Sequence, residues 1–168
     1  REALMRAGPI KIGHVWSSDL MVEQAMPYLR PFLAEPWKLY AICPEGPRLQ
    51  AAEREGIICL PLALTRRLLD PMGDAVSTAQ IVRHCLRERF DIVHTHNIKA
   101  GLIGRVAAGL TRTSRIVHTM HGMPFDMETP VAKRLGHAGL EWIACRFADR
   151  ILVQSEEDQR TILAHRLI

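Results

Sequence analysis

The chain has 168 residues, 48% hydrophobic and 24% charged, the balance of one soluble globular domain and not of a disordered chain. No apolar run approaches the ~18–20 residues of a membrane span, and the first residues do not read as a signal peptide; a start at Arg1 is expected of a processed or trimmed product. A net charge of +4 permits attraction to anionic lipid or phosphorylated ligands, whereas 5% aromatics and the lack of an interleaved Lys/Arg block argue against a nucleic-acid partner.

Short apolar runs alternate with helical patterns along the whole chain. Ile10–Val15 reads as a first strand. Ser17, Ser18 and Asp19 offer N-cap residues for a helix carrying Val22, Met26, Leu29 and Leu33, which Pro27 and Pro31 should kink or split. Lys38–Cys43 is a second strand, 46–55 a short helix closed by Gly56, and Ile57–Leu60 a third strand. An irregular connection over 61–71 leads to a helix from Asp74 to Arg89. Asp91–His94 is a fourth strand, and the helix after it repeats Ile98, Leu102, Val106 and Leu110, with Gly101, Gly104, Ala107 and Ala108 leaving a smooth face for a sheet. Arg115–Thr119 is a fifth strand, 120–130 a loop and 131–147 a helix. Ile151–Val153 is a sixth strand, and Ser155 with Asp158 resembles a capping box opening a last helix.

Repeated strand–helix alternation with apolar strands predicts an α/β fold: a Rossmann-like three-layer sandwich, its mainly parallel sheet covered by helices on both faces. Ligands in such folds bind at the carboxyl ends of the strands. That edge carries Trp16 to Asp19, His94 to Lys99, Met120 to Asp126 and Gln154-Ser155.

The chemistry at this edge narrows by elimination. The first turn lacks G-x-G-x-x-G and the chain lacks a P-loop, so neither a nicotinamide enzyme nor a P-loop NTPase fits. The four cysteines are scattered without C-x-x-C, as expected of isolated thiols in a reducing cytoplasm. Histidine is the enriched type, with four of eight between 94 and 121. His94, His96, His118 and His121 could serve a zinc hydrolase; the plainer reading makes His94 and His118 hydrogen-bonded core histidines. His96-Asn97 and His121-Gly122 fall just past strand ends, where side chains and backbone N–H groups face a ligand, although Asn97 could simply cap a helix. Gly122 suits a positive φ or a close approach.

Three ordered stretches carry a family resemblance: Asp91 to Arg105, Ile116 to Phe125 and Ala148 to Glu156. Together they resemble the N-terminal domain of glycosyltransferase family 4, and the likeness extends over essentially the whole chain. The resemblance implies the GT-B architecture. Residues 1–168 would be a single Rossmann-like acceptor-binding domain, and the C-terminal donor-binding domain, with its paired glutamates, would be absent from this chain. It implies a retaining transfer that needs no metal or other cofactor, from a nucleotide-sugar held by the missing domain to a polysaccharide or lipid-linked acceptor. Such a protein would be cytoplasmic or peripheral on the inner face of the plasma membrane, and the isolated chain inactive.

By the same resemblance His121 is the catalytic histidine of a His-Gly loop. Ser17 and Ser18 stand where the family often has a Gly-Gly pair near the donor pyrophosphate. His96, Asn97 and Lys99 would line the acceptor side, with Gly122 and Met123 beside His121. Arg66 and Arg67, backed by apolar residues, would touch an anionic membrane. A stand-alone sugar- or nucleotide-binding module without catalysis is the alternative outside the enzyme class.

Overall fold

The computed structural model describes residues 8–34, 36–65, 67, 70–122 and 130–164. Six strands form one parallel sheet: β1 (Ile10–Val15), β2 (Trp37–Cys43), β3 (Ile58–Pro61), β4 (Ile92–His96), β5 (Arg115–Met120) and β6 (Arg150–Val153), in the order β3-β2-β1-β4-β5-β6. The helices are α1 (Asp19–Leu29), α2 (Leu49–Arg54), α3 (Pro71–Glu88), α4 (Ile98–Leu110), α5 (Val131–Cys145) and α6 (Glu156–Ala164). The chain grows outward from β1 to β3, then returns across the sheet to lay β4 on the other side of β1. That reversal opens a crevice at the carboxyl ends of β1 and β4.

Two apolar clusters hold the layers together. On one face Val22, Met26 and Leu29 of α1 and Leu49 and Ala52 of α2 pack on Leu39 and Ala41 of β2. On the other, Ile81 and Cys85 of α3 and Ala100, Ile103 and Ala107 of α4 pack on Val15, Ile42, Val93 and Ile116. A smaller cluster of Met120, Ala138, Ile151 and Ile162 joins α5 and α6 to the β5–β6 side. The sheet is therefore buried on both faces, which is why its strands are short and nearly all apolar.

The local signals explain most element ends. Pro27 lies in the last turn of α1, and at Arg30–Phe32, which contains Pro31, the helix tightens into a 3-10 turn. Gly56 takes φ +107, so Gly56 N–H bonds Glu53 O and Ile57 N–H bonds Ala52 O, the paired closure of a Schellman motif. Ser155 Oγ accepts the Asp158 N–H at 3.0 Å and donates to Asp158 Oδ2 at 2.8 Å, completing the cap of α6.

Most element ends differ from the sequence reading by one to three residues, and two of these differences bear on the site. The third connection is shorter than 61–71, because Asp70 caps α3 by accepting the Gly73 N–H at 3.2 Å and Pro71 opens the helix with no N–H to leave unpaired. The fourth strand does not end at His94: it pairs with β5 up to His96 opposite Thr119.

Candidate functional site

In a strand, side chains two residues apart share a face. His94 and His96 therefore point the same way, their ring centroids 4.1 Å apart. Parallel register sets His14 of β1 opposite His94 of β4, so three imidazoles from two strands meet on the α1 side of the sheet. Trp16, two residues beyond His14, stacks on the His14 ring at 4.8 Å and on the His96 ring at 5.0 Å. Each of these groups lies beside the switch between β1 and β4.

The hydrogen bonds are specific to individual ring nitrogens. His14 Nδ1 lies 3.3 Å from His96 Nε2, and His96 Nδ1 lies 3.2 Å from His121 Nε2. His94 Nε2 turns aside to Thr119 Oγ1 at 2.8 Å. His14 and His96 are buried, while His121 is exposed. Burial, reinforced by the neighbouring His94, lowers the His14 pKa to about 3. Burial and the nearby His121 lower His94 to about 4, and burial holds His96 far below the ordinary histidine range. The three rings are neutral near pH 7, with one N–H and one lone pair each.

A cavity of about 570 Å³ opens in front of this imidazole wall. Its polar side is His14, His94, His96, His121 and Gln154; its apolar side is Met21, Ala25, Tyr28 and Leu29 of α1. Tyr28 is 76% exposed, an aromatic ring displayed at the rim. A second hollow of about 100 Å³ adjoins it, lined by Asn97, Ile98, His118, Met120, His121, Gly122 and Glu141. His121 borders both. Gly122 takes φ +108, and Asn97, at the N-cap position of α4, takes φ +61. The Asn97 side chain makes no cap, and its buried Oδ1 has no hydrogen-bond partner among the described residues.

His118 lies on the opposite face of the sheet. Its Nδ1 is 2.9 Å from Thr95 Oγ1 and 3.1 Å from Thr95 O, and a Cβ added to Gly101 of α4 would overlap its ring. Burial and the adjacent Arg105 lower its pKa to about 3. It is the core histidine that the plainer sequence reading described. His94 is likewise hydrogen-bonded, to Thr119 Oγ1, but it is only half-buried and also lines the large cavity. The set His94, His96, His118 and His121 is thus not assembled around one point; alternation sends His118 away and register brings in His14. The metal-ligating atoms of His14, His94 and His96 lie within 4.8 Å of one another, whereas two nitrogens on one tetrahedral zinc sit about 3.4 Å apart. His14 Nδ1 and His96 Nε2, 3.3 Å apart, already stand at that spacing.

The remaining predicted positions divide. Ser17 Oγ donates to Met21 Sδ at 3.3 Å, and Ser18 occupies the N-cap of α1 without a side-chain cap bond. Neither lines a described cavity. Lys99 turns away from the histidines toward α3, where its Nζ pairs with Asp74 Oδ1 at 2.7 Å, bonds Thr65 Oγ1 at 3.2 Å and also donates to the Arg67 carbonyl. It ties the third connection to α4 and is absent from the cavity walls. Arg67 is exposed. Met123 and Arg66 lie outside the described residues. The sequence reading missed His14 and Trp16 as a pair, although their spacing of two, at the end of β1, was the signal.

The fold has counterparts among known proteins. The family model of Glycosyltransferase Family 4 matches residues 28–168. A curated relative, the Escherichia coli UDP-Gal:alpha-D-GlcNAc-diphosphoundecaprenol alpha-1,3-galactosyltransferase, is 28% identical over 153 residues; the match covers 89% of this chain and 40% of that protein. Among solved structures, a UDP-N-acetylglucosamine 2-epimerase superposes with TM-score 0.67 at 14% identity, over 94% of this chain and 43% of its own. MurG of Acinetobacter baumannii gives TM-score 0.59 at 12% identity over 89% of this chain and 42% of its own. A sucrose-phosphate synthase chain from Thermosynechococcus elongatus gives 0.60 at 13% identity over 92% of this chain and 80% of its own. At such identities the structures share the fold, and the chain spans less than half the length of its curated relative.

Proposed function

Because the chain belongs to glycosyltransferase family 4, we propose that it is the acceptor-side domain of a glycosyltransferase, with His121 at the reaction centre. The observation that carries this reading is the two-sided cavity of about 570 Å³ at the β1–β4 switch, with His96 and His121 on one wall and α1 on the other. A polar imidazole wall suits sugar hydroxyls, and the apolar wall of Met21, Ala25, Tyr28 and Leu29 suits a hydrocarbon. The galactosyltransferase relative is named for an acceptor of this mixed kind, a sugar on a diphosphate-linked lipid. A lipid-linked sugar is accordingly the acceptor class in this reading.

The nucleotide-sugar is held mainly by a second domain beyond Ile168, so residues 1–168 alone are inactive. His121 hydrogen-bonds the transferring sugar or the leaving phosphate, where charge develops in the transition state. Imidazole N–H groups supply such hydrogen bonds without a metal ion, and the transfer retains configuration at the sugar. The protein works in the cytoplasm at the inner membrane surface, where Arg66 and Arg67 meet anionic lipid. No helix among the described residues is long and apolar enough to cross a membrane, so contact in this reading is peripheral.

The test is His121→Ala in the full-length enzyme, assayed with a nucleotide-sugar and a lipid-linked sugar acceptor. Turnover should fall at least ~100-fold, the usual loss for a transition-state contact, with the melting temperature little changed. Near-normal turnover removes His121 from the chemistry. A natural reading frame ending near Ile168 would instead favour a non-catalytic sugar-binding module.

A further inference from the structure

His96 is bonded through both ring nitrogens, to His14 on one side and His121 on the other. A neutral imidazole has one N–H and one lone pair, so one nitrogen of His96 must donate and the other accept. Only two arrangements satisfy both contacts. If His96 Nδ1–H donates to His121 Nε2, then His96 Nε2 must accept from His14 Nδ1–H. If His121 Nε2–H donates to His96 Nδ1, then His96 Nε2–H donates to His14 Nδ1. In the first case neutral His121 carries its proton on Nδ1; in the second, Nδ1 is the bare acceptor. Mixed arrangements leave two hydrogens or two lone pairs facing each other in a buried contact, which costs more than a missing hydrogen bond.

The rings are held for this purpose. Trp16 stacks on both His14 and His96, within 18° of parallel to each, fixing the two ring planes. His94 sits in the same cluster but sends its Nε2 to Thr119 and takes no part in the chain of bonds. The far end of the chain, His14, is thus linked to the exposed reactive end through one shared ring.

We infer that His14 and His96 form an imidazole relay that sets the tautomer of His121, and so decides whether the free nitrogen of His121 offers a proton or a lone pair to the bound sugar. His14 and His96 are positioning residues, and the functional part of the inference rests on the proposed role of His121. The proton count closes through the cavity: the two shared protons each pass to the next ring, from His14 to His96 and from His96 to His121, while His121 Nδ1 releases one proton to water and His14 Nε2 takes one up, so the two states interconvert without net charge.

Nitrogen NMR on the chain labelled with 15N-histidine tests the relay without any turnover. Scalar couplings across the hydrogen bonds should link His14 Nδ1 to His96 Nε2 and His96 Nδ1 to His121 Nε2, and the three rings should share one tautomer. His14→Phe keeps the ring stack on Trp16 but removes the first bond, so the His121 nitrogen shifts should move. His94→Phe, equally part of the cluster but off the chain of bonds, should leave them in place. Absent couplings, or a His121 signal indifferent to His14→Phe, overturn the relay. One zinc per purified chain, with the lone pairs of His14 and His96 committed to it, overturns it as well.

In the full-length enzyme His14→Phe should lower kcat about 10- to 100-fold at nearly constant acceptor KM, and His14→Asn, whose amide sits where Nδ1 sits, should recover most of that loss. Equal losses in His14→Phe and His14→Asn contradict the coupling. Normal turnover of His121→Ala, with the couplings present in the unsubstituted chain, defeats the catalytic reading and leaves the relay standing, so the two failures are distinguishable.

Discussion

Lowering the pH from 7.5 to 5.5 should unfold this protein far more readily than its carboxylates alone would allow. His14 and His96 are each 7% exposed and His118 is 1% exposed, and burial depresses all three pKa values, to about 3 for His14 and His118. In the unfolded chain each returns to 6.5. The unfolded state therefore binds more protons, and stability rises with pH across this window. It is fully present above 6.5 and drains away as pH falls toward the folded values. Between pH 7.5 and 5.5 an unfolded histidine goes from about 10% to about 90% protonated, which shifts the balance by about 1.4 kcal/mol per ring. The three buried rings give about 4 kcal/mol, a large share of the ~5–15 kcal/mol typical of a domain, and the half-buried His94, lowered to about 4, adds in the same direction. The carboxylates of Glu55 and Asp70, held below their ordinary range by Arg30 and by the Gly73 N–H respectively, act only below about pH 4.5 and do not blur the window. Urea titration at pH 7.5, 6.5 and 5.5 reads the effect directly: with a slope of about 2 kcal/mol per molar, the midpoint should drop by about 2 M. A midpoint constant over these pH values would mean that the three imidazoles are not neutral and buried in the folded protein, and the account of the site would fall with it.

The alkaline side has the opposite sign: burial raises the Cys43 and Cys59 thiols to about 12 and 11, so stability present below pH 9 should decline above it, measurable in the same titration under reducing conditions. Arg105 is fully buried and pairs with Glu141 at 2.7 Å while its Nε bonds Gly101 O; Arg105→Met should cost about 3–5 kcal/mol in urea unfolding by stranding the carboxylate, and Arg105→Met with Glu141→Leu should recover most of it. An equal loss in the double variant would show that packing, not the stranded charge, is responsible. For the membrane proposal, Arg66→Glu with Arg67→Glu should weaken sedimentation of the full-length protein with anionic vesicles, by about 1 kcal/mol per reversed charge or more; unchanged sedimentation removes that contact.

Local chemistry made much of the fold legible before any coordinates. Alternating apolar runs, the glycine at 56, the prolines at 27 and 31 and the Ser155–Asp158 pair each act within one turn or one strand, and each does in the structure what its chemistry requires. The Asp70-Pro71 start of α3 was equally local and equally readable, although the sequence reading began that helix at Asp74. His96 and His121 were also visible, because both lie where strands of a parallel sheet must end.

What the order of residues determined is therefore a parallel sheet, its two helical layers and the strand-end edge at which His96 and His121 stand. What only the tertiary structure decided is which histidines meet. The return crossover sets β4 against β1, so a residue from the start of the chain joins His94 and His96, and two-residue alternation turns His118 to the other face. Lys99, the second residue of α4, looked as well placed as Asn97, yet two steps of a 3.6-residue pitch turn it to the other side of the helix, toward Asp74. Spacing along a chain fixes the period of side chains but not the partner across a crossover, and the site is built from partners.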